Sequence, residues 1–182
     1  MCVILIGKIT KEQHKLALQQ NGDGFSLFTE KQGLIKSPKP ADVAKAFEHW
    51  GIWHYRIATS GTKNDLNVHP FPICGGKYLL YHNGILGKGK GNLSDTHALA
   101  NTLQDVNIHS ARTIINALSE SSGRFVIASA KDPHDLYLYG KWEADEGILM
   151  SHKLYTYTTA YNGNTGKRIG FNYGGKFYGD DD

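Results

Sequence analysis

The sequence has 182 residues, 40% of them hydrophobic and 20% charged, so one globular domain with a sizeable core is expected over 1–182. A net charge of +3, without basic clusters, argues against nucleic-acid binding, and the absence of a long apolar run or basic leader argues against a membrane protein or signal peptide. The two cysteines, Cys2 and Cys74, provide no disulfide framework and favour a reducing, cytoplasmic location.

The first half of the chain alternates between β-favouring and helical segments. A β-favouring run predicts a buried strand over 3–6, and a second strand over 25–28 follows an Asn-Gly-Asp-Gly turn. Val43, Phe47 and Trp50 share one face of a helix predicted over 41–49. Further strands are predicted over 52–57 and 77–81, and a polar loop separates them.

The second half begins with helices and ends with strands. A helix should start at Ser94 or Asp95, either of which is a suitable N-cap, and Ser110 can cap another helix with Ile114 and Ile115 inward. A hairpin is predicted from 124–130 and 135–139, and later strands over 147–150, 154–160, 168–173 and 175–178. The acidic end, 180–182, is expected to fray.

Segregated strands and helices predict an α+β fold with antiparallel sheets rather than a doubly wound parallel sheet. The chain has no glycine-rich phosphate loop, so no nucleotide cofactor is expected. Its nine histidines show no HxxxH or paired Cys-His spacing, so no metal site is expected either.

Cys2 is the first candidate for chemistry. If Met1 is removed, Cys2 carries a thiol nucleophile and a free α-amine, whose ordinary pKa of about 8 suits it to act as the base. A cysteine that merely starts a buried strand is the alternative, and by itself Cys2 does not exclude it.

Four short blocks follow Cys2. They are His-Tyr-Arg-Ile-Ala-Thr-Ser-Gly at 54–61, Asn-Val-His-Pro at 67–70, His-Asn-Gly at 82–84 and Ser-Asp-Thr at 94–96. In this order and spacing, the blocks resemble those of the class II glutamine amidotransferase family, the glutaminase domain of the N-terminal nucleophile hydrolases. The resemblance implies a four-layer αββα sandwich in which two antiparallel sheets lie between helical layers.

The resemblance also implies a role for each matching residue. Cys2 would attack the side-chain amide of a small-molecule substrate, L-glutamine in the family, while Asn83 and Gly84 hold the oxyanion. Arg56 would bind the α-carboxylate and Asp95 the α-ammonium, with pocket-shaping positions at Thr59 and His69. Simpler roles stay open for these residues. Asn83 and Gly84 could form an ordinary hairpin turn, Arg56 could be a surface residue, and Asp95 could be a helix N-cap. His54 and His82 are expected to be structural.

The chain also departs from the family pattern. Ser60 stands where many synthase-linked members have a histidine, and the segment 20–24 lacks the family's arginine. These departures leave the substrate open, so an amidase for another γ-glutamyl or amide substrate, or a non-catalytic relative that binds a partner protein, remain alternatives. The length predicts a stand-alone domain, of a kind found in bacteria and bacteriophages, that releases ammonia or passes it to a partner enzyme.

Overall fold

The computed structural model describes residues 1–145, 147–152 and 154, and the backbone of 160–161, 168–173 and 176–179. The described residues form an α+β protein with helices α1 (Lys11–Gln20), α2 (Pro40–Ala46), α3 (Asp95–Thr102) and α4 (Ile108–Ser122). Its first six strands are β1 (Val3–Gly7), β2 (Phe25–Thr29), β3 (Gly33–Lys36), β4 (Gly51–Tyr55), β5 (Phe71–Ile73) and β6 (Tyr78–Asn83). The remaining strands are β7 (Arg124–Ser129), β8 (Leu136–Tyr139), β9 (Glu143–Asp145), β10 (Ile148–Met150), β11 (Ala160–Tyr161), β12 (Arg168–Tyr173) and β13 (Lys176–Gly179).

The chain divides into two compact units, residues 1–152 and 153–182. The first unit contains a six-stranded sheet of order β3-β2-β4-β1-β10-β9 and a four-stranded sheet of order β5-β6-β7-β8. Every strand pair in both sheets is antiparallel, as the sequence predicted. The second unit contains the antiparallel sheet β11-β12-β13. That 1–182 is one domain stays a prediction.

The two large sheets of the first unit share one hydrophobic core. Successive side chains of a strand point to opposite faces, so alternate residues of each sheet meet between the sheets. Ile4 and Ile52 from the six-stranded sheet lie in one buried cluster with Tyr81 and Val126 from the four-stranded sheet. The strand that begins at residue 3 is therefore central and fully buried, although chain starts are usually exposed.

Helices cover the outer faces of both sheets. Ala100 of α3 and Ile115 of α4 pack in a second buried cluster with Phe125 and Ile127 of the four-stranded sheet. On the six-stranded sheet, His14 of α1 makes ring contacts with Phe25, Trp53 and Tyr55 and with Phe47 at the end of α2. These layers are compatible with an αββα sandwich, and its assignment to the N-terminal nucleophile type stays a prediction.

Several elements differ from the sequence predictions. The sequence did not predict α1, whose ten residues include only three apolar ones; reciprocal hydrogen bonds between Thr10 and Gln13 cap its start. Helix α4 begins at Ile108 with Asn107 as its N-cap, so the prediction of Ser110 as the cap was wrong. Ile114 was predicted to face inward but is 39% exposed, because the buried face of α4 contains Ala111 and Ile115 instead.

Helix α2 ends at Ala46, three residues before the predicted end. The helix predicted at Ser94 or Asp95 begins at Asp95 with Ser94 as its cap, and the predicted hairpin is β7-β8. Most of the strand predicted over 154–160, and all of the fraying end predicted at 180–182, lie outside the described residues. In the described part of the chain, no helix combines the length and apolar character needed to cross a membrane.

Candidate active site

One end of the six-stranded sheet brings Cys2 next to Arg56. Val3 of β1 pairs with Tyr55 of β4, so extending the register by one residue sets Cys2 opposite Arg56. The Cys2 Sγ donates to the Ile57 carbonyl oxygen at 3.7 Å. Every second side chain of a strand points to the same face, so Cys2 faces the same way as Ile4, and Arg56 the same way as Ile52. Ile4 and Ile52 lie between the two sheets, and the side chains of Cys2 and Arg56 therefore face this space as well.

The environment of Cys2 favours the protonated form of its thiol. Burial raises the pKa of the Cys2 thiol, while the hydrogen bond to the Ile57 carbonyl, the N-terminal ammonium and the Arg56 guanidinium lower it; the Asp95 carboxylate adds a smaller effect that raises it. Met1, by contrast, is 58% exposed. A protonated, partly buried thiol needs a nearby base before it can act as a nucleophile.

Arg56 is a buried cation with one uncommitted end. The residue is only 2% exposed, and its Nη2 donates to the Ser60 carbonyl oxygen at 3.0 Å. Its Nη1 is buried and has no hydrogen-bond acceptor among the described residues. A buried, unpaired N–H on a charged group is costly, so this end of the guanidinium is suited to an anionic ligand.

Asp95 supplies the opposite charge from the start of α3. Its Oδ1 accepts from the Thr96 backbone N–H at 2.7 Å and from the Ser60 hydroxyl at 3.2 Å, and its Oδ2 accepts from the Leu86 N–H at 2.8 Å. Ser94, not Asp95, caps the helix with its hydroxyl. A carboxylate has about four acceptor positions, so Oδ2 retains capacity for another donor.

Ser60 connects these two charged residues. Its carbonyl oxygen accepts from Arg56, its hydroxyl donates to Asp95 Oδ1, and the same hydroxyl accepts from the Asp95 backbone N–H at 3.1 Å. Sequence reasoning noted Ser60 only as a departure from a family pattern. The linking role depends on the folded loop and has no signal in the sequence beyond a short hydroxyl side chain.

Asn83 and Gly84 end β6 on the four-stranded sheet. The Asn83 side chain is buried, and its Nδ2 donates to the Ser151 Oγ at 2.8 Å and contacts the His152 Nδ1 at 3.2 Å. A Cβ atom on Gly84 would lie 1.8 Å from the Ser122 carbonyl oxygen. The backbone packing at this turn therefore requires glycine. This requirement is independent of any role of the Gly84 N–H in binding a ligand.

The loop before β5 is fixed by Asn67. This fully buried residue donates to the Asn92 carbonyl oxygen at 2.7 Å and accepts from the Ser94 backbone N–H at 2.7 Å. Gly61 packs against the same segment, since a Cβ on it would lie 2.5 Å from the Ser94 nitrogen. These contacts hold the loop containing Ser60 against the first turn of α3.

The two predicted pocket-shaping residues have different environments. Thr59 is exposed at the tip of the loop. His69 is buried and stacks on the His54 ring at a centroid distance of 4.1 Å, and neither of its ring nitrogens has a hydrogen-bond partner among the described residues. A direct contact of His69 with a substrate stays a prediction.

His54 and His82 are buried and hydrogen-bonded within the protein, and their purely structural role stays a prediction. The Nδ1 of His82 hydrogen-bonds the Thr96 hydroxyl and its Nε2 the Ser122 carbonyl oxygen, both at 2.8 Å. His54 is fully buried between the sheets, where burial lowers its pKa to about 3. Within the described residues, no group of three or more His, Cys, Asp or Glu side chains is arranged to hold a metal ion.

The described part of the chain is thus an α+β protein with a cysteine, a partly unpaired guanidinium and a carboxylate around one end of its sheets. No family model matches the chain. The sequence is similar to glutamine–fructose-6-phosphate aminotransferase (isomerizing) from Thermococcus kodakarensis, with 27% identity over 150 residues, which cover 72% of this chain and 23% of that enzyme.

Higher identity over a shorter segment exists to bacterial enzymes of the same name. The chain is 39% identical over 66 residues to the enzyme from Staphylococcus epidermidis, and 36% identical over 66 residues to that from Staphylococcus aureus. These matches cover 36% of this chain and 11% of each relative. The chain therefore matches less than a quarter of the length of these curated relatives.

Proposed function

We propose that the protein hydrolyses the side-chain amide of L-glutamine, with Cys2 as the nucleophile. The observation that carries the proposal is the buried, unpaired Nη1 of Arg56 beside Cys2, together with the Asp95 carboxylate that Ser60 links to Arg56. A free amino acid presents a carboxylate and an ammonium, and this pair of charges complements both. The partial similarity to enzymes named for glutamine agrees with this substrate.

The chemistry requires that Met1 is removed, because Cys2 then carries its own α-amine. The amine takes the thiol proton as the sulfur attacks the amide carbon, and the proton then passes to the departing nitrogen, which leaves as ammonia. Water next attacks the γ-glutamyl thioester, so glutamine and water yield glutamate and ammonia. Burial raises the pKa of the Cys2 thiol, which favours the protonated form, and an internal base in the same residue suits such a thiol.

Negative charge develops on the amide oxygen during both steps. In this proposal, the Asn83 side chain and the Gly84 backbone N–H donate to that oxygen, and losing one such donor typically slows catalysis by about a hundredfold or more. Arg56 binds the α-carboxylate in two-point fashion and Asp95 the α-ammonium. Ammonia is released to solvent or passed to a separate partner enzyme.

The test combines intact-mass measurement with an ammonia assay. The wild-type chain is incubated with the electrophile 6-diazo-5-oxo-L-norleucine, a glutamine analogue, and its mass and labelled peptide are determined. We expect loss of Met1 and a single adduct on Cys2, together with ammonia release from L-glutamine. Cys74→Ala is the matched control, since Cys74 is buried in the turn between β5 and β6 and should not be needed for either result.

Two results would contradict the proposal. Equal ammonia release by wild type and Cys2→Ala would exclude Cys2 as the nucleophile. A chain that retains Met1 and takes up no label would favour a non-catalytic protein. Labelling of Cys2 without ammonia release from L-glutamine, but with cleavage of another γ-glutamyl amide, would retain the nucleophile and change the substrate.

A further inference from the structure

The side-chain amide of Asn83 is held by the segment that follows β10. Its Nδ2 lies 2.8 Å from the Ser151 Oγ and 3.2 Å from the His152 Nδ1. Ser151 is fully buried and is itself attached to β1, since its Oγ accepts from the Ile4 N–H and its N–H donates to the Ile4 carbonyl oxygen, both at 2.9 Å. The same serine therefore contacts the strand of Cys2 and the end of β6.

This orientation of the amide leaves its polar groups poorly matched. Asn83 Oδ1 is buried and has no hydrogen-bond partner among the described residues. Meanwhile the Ser151 Oγ accepts two N–H donors, from Ile4 and from Asn83. An unpaired buried carbonyl oxygen costs about 1–3 kcal/mol, so the arrangement is unfavourable on hydrogen-bonding grounds.

Rotating the Asn83 amide by 180° about its last side-chain bond removes the mismatch. The Oδ1 then accepts from the Ser151 hydroxyl, which keeps its bond from the Ile4 N–H. It can also accept from a neutral His152 protonated at Nδ1, and burial keeps His152 neutral by lowering its pKa to about 4. The NH2 group moves to the unpaired position, where two donors become available to a ligand.

We propose that Ser151 is a positioning residue that holds the Asn83 amide in this rotated orientation, with its NH2 group directed at the oxyanion. The inference rests on the proposed function, because it concerns the donor that the reaction uses. Asn83 is two residues from Tyr81 on its strand, and Cys2 is two residues from Ile4, so each side chain faces the same way as that neighbour. Tyr81 and Ile4 both lie between the sheets, which brings the rotated NH2 group and the thiol to the same space.

The kinetic test compares two buried serine-to-alanine variants. Ser151→Ala removes the hydroxyl that orients the amide, and we expect kcat for ammonia release to fall at least about tenfold, with KM nearly unchanged, because the donor acts mainly in the transition state. Ser26→Ala is the matched control: Ser26 is equally buried, and its Oγ has no partner among the described residues. We expect this control to retain wild-type kcat.

A double-mutant cycle separates positioning from general damage to the site. In an Asn83→Ala background, Ser151→Ala should lower kcat no further, because the group it positions is already absent. An equal loss in both backgrounds would overturn the inference. So would wild-type kcat in Ser151→Ala itself. Thermal unfolding of each variant identifies any that fails to fold.

A second measurement does not depend on activity. Neutron diffraction from crystals of the deuterated wild-type protein locates the deuterium atoms of Ser151 and Asn83. We expect the Ser151 deuterium to be directed at the amide oxygen of Asn83; two Asn83 deuterons directed at Ser151 and His152 would overturn the inference. The expected orientation in a protein that released no ammonia would refute the proposed function alone.

Discussion

Acid should destabilise this protein through the histidines buried between its sheets, and His54 gives the clearest case. Burial lowers its pKa from an ordinary 6.5 to about 3, so His54 is neutral in the folded protein at every pH where the unfolded chain begins to protonate it. The unfolded state then binds more protons, and stability is lost as pH falls from 6.5 towards 3.

The magnitude follows from the two pKa values. At pH 5 the ratio of protonated to neutral histidine is about 30 in the unfolded chain, whereas folded His54 is almost entirely neutral. This difference in proton binding corresponds to about 2 kcal/mol of lost stability. His69, whose pKa burial also lowers, adds to the loss in the same direction. Over the whole range from neutral pH down to pH 3, the loss from His54 by itself is about 4 kcal/mol.

The assay is urea unfolding at pH 7.5 and pH 5.0 for wild type and His54→Phe. Phenylalanine keeps a planar ring against His69, which stacks on His54 at 4.1 Å, but it cannot be protonated. We expect the wild type to lose about 2 kcal/mol more than the variant between the two pH values. Equal losses would show that His54 is not kept neutral in the folded protein, and the argument from burial would be wrong.

Three other predictions concern the site directly. Arg56→Lys keeps the charge but loses two-point binding, so KM for L-glutamine should rise about 10- to 100-fold in steady-state assays with a smaller change in kcat. Ser60→Ala removes two hydrogen bonds to Asp95, and the same assays should show a rise in KM that is smaller than for Arg56→Lys. Gly84→Ala should lower the urea midpoint sharply because its Cβ would meet the Ser122 carbonyl oxygen, whereas Gly22→Ala, whose nearest such atom is 3.5 Å away, should not.

The fold could be predicted in outline because its strongest signals are local. The strand at 3–6, the hairpin over 124–139 and the helix start at Ser94 or Asp95 depend on neighbouring residues, and all three are confirmed. Helix α1 was missed because only three of its ten residues are apolar, although the Thr10 to Gln13 spacing of its cap is itself a local signal. The order of strands was not predictable, since it depends on pairing between residues far apart in the chain.

The candidate site divides in the same way. The position of Cys2 suggested a nucleophile, and the resemblance of the four sequence blocks to the class II glutamine amidotransferase family implied the roles of Arg56 and Asp95. Their catalytic roles stay predictions. The sequence contained no indication that Ser60 joins the two charged residues or that Ser151, 68 residues beyond Asn83, holds the Asn83 amide.

The sequence by itself thus indicated the most strongly patterned strands and helices and the chemical groups that are available, but not helix α1. Only the tertiary structure decided that β1 lies beside β4 with Cys2 opposite Arg56, and that one guanidinium nitrogen remains unpaired. The physical reason is that strand periodicity and capping act between near neighbours, whereas hydrogen-bond partnership, burial and the resulting pKa shifts depend on which distant segments the sheets bring into contact.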